Sequence, residues 1–323
     1  MPTNDLDVIP PDMRVELEKF DRVAEQAIAE FVAPIESQEP PSIIFHYTDD
    51  VGLKGILESG KFWFTDIFNL NDPSELKHGL SHAVNILKSK VVASRPECKL
   101  FTEQFEDFVE NGGIQASAHY FVCSFSSAGD DLGQWRAYAD NGRGFAIGFD
   151  ANALETAFTK DGCKPIPNNS TFPTTYQDAQ LIALLEKIID AMFALISLPR
   201  GRCLASEINK AYIVELYVSL SIHALRAVLF FKHEAYNNEK EYRFLQIFRT
   251  KPMPEVKFRK RPYSLTRYRE FDWRSVAEGS LRQIVIGPAA EMEKASQFAK
   301  DCLAAFHHGN VEIVHSKVPY RAT

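Results

Sequence analysis

Two carboxylates one residue apart stand in FKHEAYNNEKEYRFLQ (231–246): Glu239 and Glu241. A carboxylate pair can polarise a hydroxyl, act as a general base or stabilise developing positive charge. If a strand has begun by Glu239, the spacing sets both side chains on one face; if Glu239 is still in the loop, it projects from the strand mouth. The plainer reading is a charged, solvated strand edge in which Lys240 and Arg243 balance the glutamates and discourage edge pairing.

Three other stretches carry chemistry-bearing residues. In FHYTDD (45–50), His46 and Thr48 sit where an apolar run ends and VGLKGILESG begins. Either the strand end is a pocket wall, or Asp49 or Asp50 simply caps a helix. In GQWRAYADNGRGFAIGF (133–149), Arg136 and Tyr138 flank a helix end beside a Gly-rich turn, and an arginine fork suits phosphate. No GK[ST] follows, and the glycines open a strand rather than a helix, so neither a P-loop nor a dinucleotide fingerprint is present. The competing reading is a type I′-like turn at Asn141-Gly142 with Trp135 in the core. In HGLSH, His78 and His82 have metal-ligand spacing, but Gly79 stands where HExxH needs its glutamate. They read as surface histidines, and no metal is expected. No GxSxG elbow occurs.

The elements that must position these residues follow from pattern. Helical periodicity covers 12–32 and 98–110, and 130–139 reads as a short helix. Asp72-Pro73-Ser74-Glu75 is a strong helix start, with Asp72 as N-cap and Pro73 at the first helical position. Strands are expected over 42–48, 61–66, 118–126, 145–149, 239–248, 281–287 and 310–316, with a helix at 290–306. Between them, 174–198 and 206–231 form long helical patterns, a hairpin inserted in a strand-rich domain. The division is a helical N-terminal segment (1–40) and one α+β domain (41–323) with its insertion at about 174–231.

The totals bound the answer. The chain has 323 residues, 45% hydrophobic and 24% charged, enough for a sizeable core. A net charge of −7 argues against a broad nucleic-acid surface. The cysteines, Cys98, Cys123, Cys163, Cys203 and Cys302, form no CxxC, which fits a reducing cytoplasm. The start MPTNDLDVIPPDM lacks the features of a signal peptide, and the apolar helix near 212–231 carries Glu215, His223 and Arg226, as a core helix rather than a membrane span would.

Taken together, FHYT, FWFTDIFNLNDPSEL, CSFS, QWRAY, GFAIGF, FKHEAYNNEKEYRF and IVIGP resemble a bacterial family known as a domain of unknown function, with the pattern HYT…LNDPSE…QWRAY…EKEYR, over about residues 42–290. More distantly, the layout resembles the ADP-ribosyltransferase fold. There the first strand ends in a residue that holds a ribose hydroxyl of NAD, an aromatic stacks on nicotinamide, a middle strand carries Ser-x-Ser, and a late strand opens with the catalytic Glu. The resemblance gives His46 the first role within a strand–His–x–Thr48–helix start. It gives Trp63 or Tyr47 the second, Ser124 and Ser126 the third, and Glu241 the last, with Glu239 as loop partner. Arg136 is the candidate for the pyrophosphate. Tyr47 departs from the toxins of this fold, many of which have Gly after the His. The 174–231 helices are not part of a minimal transferase.

The resemblance therefore implies an α+β, ADP-ribosyltransferase-like mixed or antiparallel sheet core with an inserted helical hairpin. It implies an NAD-dependent ADP-ribosyltransferase or NAD glycohydrolase of toxin or antiviral-defence type, with NAD as substrate and a nucleic acid or protein as acceptor. An antitoxin or partner protein is a further expectation; a membrane or structural metal is not. His46 and Glu241 are expected to face one pocket, and if they lie on opposite faces of the sheet the transferase reading fails. The rivals are a nuclease or hydrolase using His46 with Glu239 and Glu241, and a non-catalytic ligand-sensing module.

Overall fold

The computed structural model describes residues 9–36, 41–70, 74–91, 96–166, 168–196, 207–249 and 255–321. In chain order the elements are α1 (Pro11–Glu36), β1 (Ile43–Thr48), α2 (Asp50–Ser59), β2 (Lys61–Asp66), α3 (Ser74–Lys90), α4 (Pro96–Glu110), α5 (Gly113–Ser117), β3 (Ala118–Ser126), α6 (Leu132–Tyr138), β4 (Phe145–Asp150) and α7 (Ala151–Thr159). There follow the short pair β5 (Lys160–Asp161) and β6 (Lys164–Pro165), then β7 (Asn169–Pro173), α8 (Asp178–Ile196), α9 (Glu207–Val228), β8 (Glu241–Arg249), β9 (Lys257–Arg261), β10 (Ser264–Asp272), α10 (Trp273–Val276), β11 (Leu281–Ile286), α11 (Met292–Ala305) and β12 (Glu312–His315).

The aromatic run AHYFVCSFS becomes the central strand, β3, because its alternation feeds two cores at once. Tyr120 and Val122 enter one hydrophobic cluster; Phe121, Cys123 and Phe125 enter another. β8 pairs along the whole of β3, from Ala118↔Arg249 to Ser126↔Glu241. The opposite edge of β3 is shared by two strands. β1 meets it at Phe45↔Ser126, and β2 meets it at Thr65↔Val122 and Asp66↔Phe121. The sheet therefore splits beside Cys123, Ser124 and Phe125. One wing continues through β4, β11 and β12, the other through β10 and β9. Pairing is antiparallel except between β11 and β12. This is an α+β fold around a mostly antiparallel sheet.

One face of β3, β7 and β8 is covered by a helical layer. α1, α3, α4, α8 and α9 share a single core, into which Phe20, Leu87, Phe105, Leu185 and Leu220 are all buried. The inserted helices thus pack with the N-terminal helix as one layer. α9 includes a stretch, Ala211–Val228, long and apolar enough to cross a membrane; its Leu216, Leu220 and Ala224 are buried in this core. The other face packs against α2, α7, α10 and α11 through Leu57, Phe158, Trp273 and Leu303.

Local signals explain the boundaries. The Asp49 side chain accepts from Gly52 N at 2.7 Å to cap α2, and Gly60 ends that helix in the left-handed region at φ 66°. The Asp49 cap and the pocket wall at His46 coexist. Asn141 and Gly142 take the expected positive φ, 52° and 85°, with Trp135 fully buried, but the turn joins α6 to β4 rather than two strands. The expected Asp72 cap and Pro73, and the connection 197–206 between the inserted helices, lie outside the described residues. β8 begins at Glu241, two residues later than predicted. β7, β9, β10 and α7 are additions to the sequence reading.

Candidate functional site

The split in the sheet opens a cavity of about 950 Å³, near the top of the roughly 300–1,000 Å³ range of small-molecule sites. Among the predicted site residues, His46, Tyr47, Thr48, Trp63, Ser124, Glu239 and Glu241 line it. Four separate segments of the chain supply them. Two predicted residues do not line it. Arg136 lies on the exposed side of α6, whose Gln134 and Tyr138 face the cavity instead. Ser126 is buried at the end of β3, donating to Glu239 O at 2.6 Å and accepting from Ala128 N, so its work is to hold backbone.

The glutamates are arranged by a kink. Glu239 ends a 3-10 turn (Glu234–Glu239), Lys240 takes a left-handed φ of 43°, and the strand starts at Glu241. The loop-mouth alternative for Glu239 is therefore the one adopted. Arg243 donates to both Glu241 oxygens, Nε to Oε1 at 2.9 Å and Nη2 to Oε2 at 2.8 Å. Lys232 bridges the pair, with Nζ 3.3 Å from Glu241 Oε2 and 2.5 Å from Glu239 Oε2. Burial alone would raise the Glu241 pKa, but Arg243, Lys232 and the Ser124 hydroxyl together hold it down at about 2. The backbone is pinned as well: Glu241 N donates to Tyr176 Oη, and Glu241 O accepts from Thr174 N, both at 2.9 Å. Tyr138 Oη donates to Glu239 Oε1 at 3.3 Å, and burial beside that carboxylate pushes its phenol up to about 12.

His46 lies at the split. Its Nδ1 is 3.0 Å from Ser124 O, a carbonyl on the unshared part of the β3 edge. A carbonyl only accepts, so Nδ1 carries the proton and Nε2 presents a lone pair. Burial lowers the His46 pKa, opposed by that hydrogen bond, so the ring is neutral at neutral pH. Its ring meets Phe62 and Phe125 edge-on at 5.5 and 5.6 Å. Strand register sets Phe45, not His46, on the face that bears Ser126 and Glu241. His46 and Glu241 thus share a cavity from opposite faces of their strands. The expectation of one pocket holds, but the opposite-face arrangement is the one set against the transferase reading. The cavity passes through the split: Cys123 and Phe125 line it from one face, Ser124 and Trp63 from the other.

The aromatic candidates separate cleanly. Tyr47 is buried, its ring 4.8 Å from Trp135, its hydroxyl donating to Ala128 O and accepting from Asp131 N. It is a structural strut. Trp63 is 44% exposed and backed by Tyr268 at 4.5 Å, which makes it the available stacking surface. Sequence reasoning missed Arg259 on β9. It lines the cavity, lies 5.7 Å from the Trp63 ring and donates Nη2 to Thr65 Oγ1 at 2.9 Å, while its buried Nε has no hydrogen-bond partner. Arg259 lines the cavity where Arg136 does not. Among the described residues the one group of potential metal donors, His78, His82 and Asp178, lies outside this cavity.

Fold and site together define an α+β protein with a ligand-sized cleft in a split antiparallel sheet. Residues 134–244 match the model of the family described as protein of unknown function, DUF2971. The match starts at Gln134 on the cleft, crosses the helical pair and includes Glu239, Glu241 and Arg243. The HYT and LNDPSE segments lie before it. No curated protein and no solved structure matches the chain.

Proposed function

We propose that the cleft binds NAD and breaks its nicotinamide–ribose bond, passing ADP-ribose to a macromolecular acceptor or to water. The observation that carries this reading is the meeting of His46, Trp63, Ser124, Glu239 and Glu241 in one cavity of dinucleotide size. Trp63 offers nicotinamide a flat apolar surface, and the Nε2 lone pair of His46 accepts from a ribose hydroxyl. Arg259, with its free buried Nε, suits the pyrophosphate. When the glycosidic bond breaks, its electron pair leaves with the pyridinium nitrogen and nicotinamide departs neutral. The positive charge left on the ribose is stabilised by fixed carboxylates, an interaction stronger in the transition state than in the bound substrate. Glu239, at the mouth, is placed to take the proton of the attacking hydroxyl or water. A toxin or antiviral-defence setting is part of the same proposal.

Two observations weigh against turnover and favour a second reading, a ligand-binding module. Arg243 occupies both Glu241 oxygens, and His46 approaches from the other strand face. Incubation of the purified protein with NAD separates the two. Nicotinamide release supports catalysis; a raised melting temperature without release supports binding alone. Neither release nor a shift removes NAD from the cleft.

A further inference from the structure

Outside the cleft lining, where α3 meets the start of α8, three donor side chains converge that the proposed chemistry does not use. His78 and His82 stand one turn apart on α3, and Asp178 is the first residue of α8. Their donor atoms all lie within 4.8 Å of one another. His78 Nε2 is 3.3 Å from His82 Nε2 and 3.6 Å from Asp178 Oδ2. Zn–N bonds of about 2.0–2.1 Å set donor–donor edges of about 3.3 Å in a tetrahedron; the His78–His82 separation matches that edge and the His78–Asp178 separation is slightly longer. The rings stand nearly perpendicular, at 80°, and the two Nε2 atoms share a hydrogen bond whose proton a metal would displace.

We propose that His78, His82 and Asp178 form a divalent transition-metal site, selective for Zn²⁺ or its borderline neighbours over Mg²⁺ or Ca²⁺. Two imidazoles and one carboxylate are the ligand types that zinc takes, whereas the hard cations need more oxygen ligands. Gly79 in the HGLSH run excludes the metalloprotease base, so the site differs from an HExxH centre. Gly79 has a packing reason instead: a Cβ there would collide with the Val228 side chain of α9. Three protein ligands leave one tetrahedral position open to water or another donor. His233 is the nearest further imidazole, its ring 6.4 Å from that of His78, but its Nδ1 accepts from Ala235 N at 3.2 Å. Its Nε2 therefore carries the proton and is no ligand in this arrangement. The metal would tie α3 to the start of α8, and this inference is independent of what the cleft binds.

The test uses the full-length, untagged protein stripped with chelator and titrated with Zn²⁺, and separately with Co²⁺ as a spectroscopic probe. The expected result is one saturable equivalent, a melting temperature that rises with Zn²⁺, and the visible bands of a four-coordinate Co²⁺ ion. His78→Gln and Asp178→Asn should each weaken binding at least as much as the roughly 10–100-fold that loss of a supporting contact costs a metal site, and should erase the Co²⁺ bands. All three side chains are largely solvent-facing or half-buried, so circular dichroism of the metal-free variants should match the parent. Absence of a saturable equivalent, or equal affinity in the His78→Gln/His82→Gln double variant, overturns the proposal.

Discussion

Arg243 grips Glu241 by both carboxylate oxygens, at 2.9 and 2.8 Å, from two residues further along the same strand. The pair is buried, and Arg243 Nη1 also donates to Leu229 O at 3.1 Å, so the fork ties β8 to the end of the helical layer. A glutamate held this way has a structural role whatever its chemical one. Glu241→Gln should therefore lower stability by about 3–5 kcal/mol, the usual result of stripping one partner from a buried ion pair. Arg243→Gln should cost about the same, and the double variant should cost much less than the sum. Denaturant melts of the four proteins measure this; additivity within about 0.5 kcal/mol would mean the two side chains are not coupled. If Glu241 also stabilises the ribose cation, nicotinamide release per folded molecule falls about 100- to 1000-fold in Glu241→Gln.

The same pair sets an acid limb. The Glu241 pKa is depressed from 4.5 in the ordinary state to about 2 in the fold. Its contribution is then fully present above pH 4.5 and is lost as pH falls from there toward 2. A shift of this size corresponds to about 3 kcal/mol. Stability measured by urea melts should drop across that window in the parent protein. The drop should be smaller in a Glu241→Leu/Arg243→Met variant, which has no carboxylate to protonate.

Much of this was legible because it rests on local pattern. The aromatic alternation of AHYFVCSFS marks β3, and the carboxylate at the start of β8 and the exposed Trp63 on β2 could be named from sequence. Alternation puts Ser124 and Ser126 on one face of β3, but position along the strand decides their roles: Ser126, at the end, is consumed by the Glu239 carbonyl. Arg259 was hidden because KFRKR reads as a solvated charge run, and only pairing with β10 turns one of its arginines inward to Trp63. The split of the β3 edge, which makes the cleft, is a choice between two distant partners and leaves no local trace. Asp178 likewise joins His78 and His82 only through the packing of α3 on α8.

Trp63 and Tyr47 make opposite predictions. Trp63→Ala removes a half-exposed platform, so melting without ligand should change little while NAD affinity falls about tenfold, the equivalent of 1.4 kcal/mol from a lost aromatic contact. Tyr47→Phe removes a buried hydroxyl that serves Ala128 O and Asp131 N. It should cost about 1–3 kcal/mol of stability and leave the affinity of the folded protein unchanged. Calorimetric titration beside thermal melts reads both.

His46 separates support from ligand contact within one ring. Nδ1–H supports the split edge at Ser124 O, and Nε2 is the atom available to a ligand hydroxyl. Asparagine places an amide donor near the Nδ1 position but nothing near Nε2. His46→Asn should hold stability within about 1 kcal/mol while NAD affinity falls about tenfold. His46→Ala should lose both, because the Ser124 carbonyl is then left without its donor. The pH dependence has a definite sign. Burial lowers the His46 pKa below its ordinary 6.5, so the unfolded chain takes up the proton first. The stability it confers is complete above pH 6.5 and erodes as pH falls below that toward the lowered folded value. NAD affinity, set by the folded state alone, should stay flat through pH 6.5 and fall only toward the lowered folded pKa, where Nε2 gains a proton and ceases to accept. An affinity that rises on acidification would show that His46 acts as a cation, and that the tautomer assigned to it here does not govern binding.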